Sequence, residues 1–103
     1  MKFGWQKFCF TDGSASKIRP VLILWLDAAD CVVAAVTSAA QRSPSDVPLG
    51  NWQAAGLRVP STVRLSRLDC MEQILLAKKL GKVSSDDAQR IKETWTQQIR
   101  LQF

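Results

Sequence analysis

The sequence predicts an α+β domain that is mainly β, with one helix at its C-terminal end. Three observations predict it. Two apolar runs of strand length lie close together, residues 21–26 (Val-Leu-Ile-Leu-Trp-Leu) and 31–37 (Cys-Val-Val-Ala-Ala-Val-Thr), and such runs suit strands buried on both faces. Residues 60–66 (Pro-Ser-Thr-Val-Arg-Leu-Ser) alternate polar and apolar side chains as a half-exposed strand does. Towards the C-terminus the apolar spacing changes to three and four, the period of a helix.

Taken in order, Phe8-Cys9-Phe10 reads as the end of a short first strand. The polar loop 11–17 (Thr-Asp-Gly-Ser-Ala-Ser-Lys) follows, either mobile or facing a ligand. Asp27-Ala28-Ala29-Asp30 between the two apolar runs suits a tight turn, so those runs form an antiparallel hairpin at the centre of a sheet. Residues 43–48 (Ser-Pro-Ser-Asp-Val-Pro) read as a loop. In the fourth strand Val63 and Leu65 share one parity and Leu68 and Cys70 the other, which predicts a bulge or bend near Ser66-Arg67 followed by more strand. Residues 74–80 are ambiguous between strand and short helix, with Gly81 as a stop. Ser84 can cap a helix with Asp87 in the capping-box position, and Ala88, Ile91, Trp95 and Ile99 form its apolar stripe.

A chain of 103 residues fits a single domain, 1–103, that buries a core without disulfides. No run approaches the roughly 20 apolar residues that span a bilayer, and the N-terminus has no signal-peptide pattern. A cytoplasmic protein with no membrane partner is expected. Cys9, Cys31 and Cys70 lie among apolar residues without a CxxC, and read as buried thiols in a reducing compartment. The chain has no histidine, which removes histidine triads, histidine pairs and most catalytic zinc sites. Fourteen Lys and Arg against nine Asp and Glu give a net charge of +5, which suits a polyanionic or acidic partner or simply a solvated basic surface.

Arg19 stands directly before Pro20, so its backbone is extended and its guanidinium sits close to a rigid strand. Such a planar, permanently charged fork can grip a phosphate, while position alone equally allows an ordinary surface arginine. Thr37-Ser38 ends the second apolar run, where two hydroxyls serve either a phosphate or local backbone groups. In an antiparallel hairpin the start of the first strand lies beside the end of the second, so Arg19 and Thr37 become neighbours. With Lys17 in the loop that overhangs the same edge, the group suits a phosphate site that needs no metal.

Several of these segments also carry a resemblance. Phe8-Cys9-Phe10-Thr11-Asp12 followed by Lys17-Ile18-Arg19-Pro20 and an apolar strand resembles the opening of the PemK/MazF toxins. Residues 32–38, with their terminal Thr-Ser, resemble that family's second strand. Ser45-Asp46-Val47-Pro48-Leu49, Trp52-Gln53-Ala54-Ala55-Gly56-Leu57 and Pro60-Ser61-Thr62-Val63-Arg64 resemble its middle, and Leu80-Gly81-Lys82-Val83-Ser84 with the last helix its end. The likeness covers nearly the whole chain in the right order.

The resemblance implies a small SH3-like β-barrel of the CcdB/PemK kind with a C-terminal α-helix, acting as a homodimer. It further implies a metal-independent endoribonuclease that cuts single-stranded RNA, mRNA in particular, and is silenced by a cognate acidic antitoxin. The family's catalytic arginine and threonine match Arg19 and Thr37, and Ser14, Ser16, Lys17 and Ser38 become candidate RNA contacts. A ribose 2′-hydroxyl would attack the adjacent phosphate, leaving a cyclic phosphate and a 5′-hydroxyl. A side-chain pKa above about 12 makes Arg19 a stabiliser of the phosphorane, or a proton donor, rather than a general base. No cofactor is implied. Trp52 is placed against the barrel or a dimer contact rather than under a base.

Two rival readings keep the same fold. One is a protein-binding toxin resembling the gyrase poison CcdB, which would need an accessible Trp95 where the helical stripe predicts a packed one. The other is a homologue that binds its antitoxin without cutting RNA, motivated by a first strand that reads as shorter than the family's.

Overall fold

The computed structural model describes residues 9–11, 18–76 and 79–103, with backbone alone for Cys9–Thr11 and Ile18. Five strands, β1 (Cys9–Thr11), β2 (Ile18–Asp27), β3 (Asp30–Thr37), β4 (Asp46–Pro48) and β5 (Thr62–Glu72), precede one α-helix, α1 (Ser85–Gln98). The strands form one sheet in the order β1-β2-β3-β5-β4, every pairing antiparallel. The mainly β architecture with its C-terminal helix is the expected one.

The central hairpin forms as the sequence predicts. β2 and β3 pair from Asp27↔Asp30 to Val21↔Ala35 around the two-residue turn Ala28-Ala29, in which Ala28 takes φ 53°. Val21, Leu22 and Ile23 are all buried. Leu22 faces a core built with Ala34, Val36, Val47, Val63, Leu65, Val83, Ala88 and Ile91, whereas Val21 and Ile23 join Cys31 and Val33 on the other face. Strand alternation therefore uses both faces, which is why the run is almost continuously apolar. β2 and the edge strand β4 feed the same core, so the sheet curls around it.

Burial stops sooner than the run of residues 21–26 suggests. Register slips between Ile23 and Trp25, after which Trp25 is 44% and Leu26 48% exposed. Trp25 instead meets Trp95 of α1 edge-on, ring centroids 6.0 Å apart. β5 has the expected bulge, with Ala34 facing Leu68 and the adjacent Ala35 facing Arg64. Beyond it the strand leaves the core, and residues 66–70 are all exposed. Cys70 is consequently an exposed thiol, contrary to expectation, while Cys31 is fully buried.

Part of the segment read as a loop is strand. Asp46–Pro48 pairs with β5, and a proline is accommodated because β4 is an edge with one side unpaired. Among its described residues, the ambiguous stretch 74–80 holds the end of a short 3-10 helix, Gln73–Leu75. In α1 the Ser84 hydroxyl accepts the Asp87 amide at 3.1 Å, as a cap should. Asp87 does not close a capping box. Its buried carboxylate accepts instead from the amides of Gly50 and Asn51, both at 2.9 Å, and from Arg90 Nη1 at 3.0 Å. The helix is thereby clamped to the loop after β4.

That loop crosses the segment before α1 at two glycines. A Cβ on Gly56, which has φ +90°, would collide with the Leu80 carbonyl, and one on Gly81 would lie 2.6 Å from the Ala55 carbonyl oxygen. Trp52 packs against the main core, as do Trp95 and Ile99.

Candidate active site at the open end of the central hairpin

Continuing the β2–β3 register by two residues from Val21↔Ala35 sets Arg19 opposite Thr37. Pairing in antiparallel strands puts opposed side chains on one face. Thr37 faces Thr62 and Ala35 faces Arg64, which in turn faces Asp46 of β4. Arg19, Thr37, Thr62, Arg64 and Asp46 thus share a face, contributed by four neighbouring strands.

The five differ in environment. Arg19 is exposed and Thr37 half-buried, while Thr62 and Asp46 are buried. Thr37 Oγ1 accepts the amide of Ala39 at 3.1 Å. That bond fixes the oxygen and leaves the hydroxyl proton able to donate to an anion. Arg64 is held by Asp46, Nε to Oδ1 at 3.4 Å, and its side chain is only 19% exposed. Burial pushes the Asp46 carboxyl up, but the Arg42 amide at 2.9 Å and the hydrogen bond and charge of Arg64 outweigh it, leaving the carboxyl below its ordinary value. Arg64 is accordingly a fixed positive charge in a strand next to Thr37.

Two clefts meet at Arg19, Pro20, Val36 and Thr37, which line both. The larger, about 580 Å³, continues past Ser38, Arg58, Ser61 and the Gly56–Leu80 crossing. The smaller, about 400 Å³, continues past Ala35, Arg64, Arg67 and Asp69. The predicted Arg19, Thr37 and Ser38 are therefore brought together. Ser14, Ser16 and Lys17 lie outside the described residues. Arg58, Arg64 and Arg67 are additions to the site. Arg64 had a signal in the sequence, since alternation with Val63 and Leu65 turns it off the main core; Arg58 had none.

Among the described residues no group of histidine, cysteine, aspartate or glutamate is arranged to hold a metal ion, and no described helix is long and apolar enough to cross a membrane. Arg19, Thr37 and Ser38 offer guanidinium and hydroxyl chemistry: hydrogen-bond donation and fixed positive charge, suited to an anion with several oxygens.

Comparison with known proteins agrees with this architecture. A model of the PemK-like, MazF-like toxins of type II toxin-antitoxin systems matches residues 5–99. No curated protein sequence matches the chain. Among solved structures it is similar to an endoribonuclease in complex with its cognate antitoxin from a mycobacterial species, with TM-score 0.73 and 20% identity over 91% of this chain and 90% of that one. It is also similar to the Mycobacterium tuberculosis toxin MazF-mt6, with TM-score 0.70 and 22% identity over 86% and 89% of the two chains. A further mycobacterial endoribonuclease gives TM-score 0.72 and 19% identity over 100% and 97%.

Proposed function

This chain belongs to the PemK-like, MazF-like toxins of type II toxin-antitoxin systems, and from that premise we propose that it is a metal-independent endoribonuclease cutting single-stranded RNA at the Arg19–Thr37 ridge. The observation that carries the reading is the register that sets Arg19 opposite Thr37 at the junction of two open clefts. The ribose 2′-hydroxyl attacks the adjacent phosphorus and gives up its proton to solvent, the P–O5′ bond breaks and the leaving 5′-oxygen takes up a proton, and a cyclic phosphate and a 5′-hydroxyl remain. Thr37 holds a non-bridging phosphate oxygen by a hydrogen bond from its hydroxyl. Arg19 stabilises the charge that builds on the phosphorane and, from its permanently protonated fork, supports departure of the 5′-oxygen. Arg64, fixed by Asp46, adds positive charge from the neighbouring strand. Ser38 in the larger cleft, and Ser14, Ser16 and Lys17 in the loop before β2, contact the RNA backbone.

The protein acts as a homodimer in the cytoplasm and is neutralised by an acidic antitoxin, whose charge complements a net +5. The packing of Trp95 against the core and edge-on to Trp25 weighs against action through an accessible C-terminal tryptophan.

The test is incubation of the purified protein with a long single-stranded RNA in EDTA. Fragments with 5′-hydroxyl ends are expected, and RNA left intact at high protein concentration would overturn the proposal. Arg19→Ala should lower the cleavage rate by about 100-fold or more, the scale of losing one preorganised stabilising group, and Thr37→Ala by about tenfold or more. An Arg19→Ala variant that cuts at the wild-type rate would remove the site assignment.

A further inference from the structure

The Arg19–Thr37 ridge does not sit at the bottom of one pocket. It separates two, and each carries an exposed arginine that the reaction itself does not use: Arg58 in the larger cleft and Arg67 in the smaller. Arg64 is bound to Asp46 and Arg90 to Asp87, whereas neither Arg58 nor Arg67 makes an ion pair or side-chain hydrogen bond among the described residues. The balance of charge in both clefts is positive. The larger holds Arg19 and Arg58 with no carboxylate in its described lining, and the smaller holds Arg19, Arg64 and Arg67 against Asp69 alone. One Asp69 oxygen is occupied by the Cys70 amide at 2.9 Å.

Position follows from the local folding of each segment. Arg67 lies in the bulge of β5, where residues between Arg64 and Leu68 are left without partners on β3 and the chain bows outward. Arg58 follows Leu57, whose side chain is buried and whose amide donates to the Trp52 carbonyl at 3.1 Å, so the loop that carries the arginine is anchored. Neither cleft has an aromatic ring in its described lining. The groups these described linings offer a single strand are guanidinium groups and hydroxyls, which suit its phosphates.

Building on the ribonuclease reading, we propose that the RNA crosses the ridge from one cleft to the other, with Arg58 holding a phosphate on one side of the scissile linkage and Arg67 a phosphate on the other. The substrate is then recognised as a run of at least three consecutive phosphates, and a strand is held on both sides of the bond that breaks. Two flanking grips fix the phosphate at the ridge in position before reaction, and most of their effect falls on binding.

The test measures binding of an uncleavable 2′-O-methyl oligoribonucleotide of about 12 nucleotides over a range of salt concentrations, alongside cleavage kinetics on the corresponding RNA. Each of Arg58→Ala and Arg67→Ala should reduce the slope of log K against log salt by about 0.7, one phosphate contact on a single strand, and the double variant by about 1.4. KM should rise about threefold to tenfold for each, with the loss in KM rather than kcat. Arg58→Lys and Arg67→Lys should recover most of the slope, and Arg100→Ala, exposed and in neither cleft, should leave it unchanged. Circular dichroism shows whether each variant is folded.

Either arginine variant keeping the wild-type slope and KM overturns the two-sided path while leaving the ribonuclease reading intact. A wild-type protein that cuts no RNA overturns the ribonuclease reading, and the binding slopes then decide the path alone. Reduced slopes would support a two-sided RNA groove; unchanged slopes, or no binding of the oligonucleotide, would overturn it.

Discussion

Asp46 is where the chemistry of the site and the stability of the fold meet in one side chain. Its carboxylate is almost wholly buried, and it accepts from the Arg42 amide and from Arg64. Its acidity is raised by those partners in spite of burial, so the folded state holds the proton less tightly than the unfolded chain does. The resulting stabilisation is fully present above the ordinary carboxylate value and is lost as pH falls through the lowered folded value. Asp46→Asn should therefore cost about 1–3 kcal/mol at neutral pH and give a stability curve flatter than wild type on acidification. Urea melts at a series of pH values measure both, and two parallel curves would contradict the assignment. Residue-scale features were unevenly legible in the sequence. Arg19 and Thr37 could be paired because a hairpin leaves few alternatives for its register. Arg64 needed the identity of the strand beside β3, and Arg58 needed the path of a loop that has no periodicity to read.

Elements behaved as their local chemistry dictates, with exceptions that have physical causes. The turn of the central hairpin was evident from Asp-Ala-Ala-Asp between two apolar runs, yet alanine is a poor residue for the conformation adopted at Ala28, φ 53°. Ala28→Gly should stabilise the protein by about 0.5–1 kcal/mol, the relief of the left-handed backbone less the added freedom of the unfolded chain. A lower midpoint in a denaturant melt would show that the turn is not strained. The start of α1 was legible from Ser84, but local spacing suggested a role for Asp87 that a distant loop overrides. Removing its carboxylate leaves the Gly50 and Asn51 amides without an acceptor, so Asp87→Ala should cost about 3 kcal/mol or more in the same melt. β4 was hidden because Asp46 and Pro48 disfavour strand on either side of a single valine; it is strand because β5 offers an open edge. Exposure of Cys70 was hidden for the related reason that β5 outlasts the core it packs on, which composition cannot reveal.

At the scale of the whole molecule, the site depends on segments far apart in the chain meeting at one end of the sheet. Arg19 and Thr37 come from the central hairpin, Arg64 and Arg67 from β5, and Arg58 from the loop that α1 clamps through Asp87. The clamp and the crossing of Gly56 with Leu80 and Gly81 together fix where that loop lies. Gly81→Ala should cost about 1–3 kcal/mol, since its new methyl group meets backbone rather than a side chain that can turn aside. A melt indistinguishable from wild type would mean that the two segments separate freely.

The crossing of the two glycines also decides how the larger cleft can change. Its wall there is main chain against main chain, so at that crossing the gap is not set by a rotamer. The gauge of the opening is set by two hydrogen atoms standing where other residues carry carbon. A methyl group at either position would act as a wedge, shifting the Arg58 loop with no cleft side chain replaced. Reach across the ridge could thus be retuned from a point outside the chemistry, in a protein whose reactive groups stay the same.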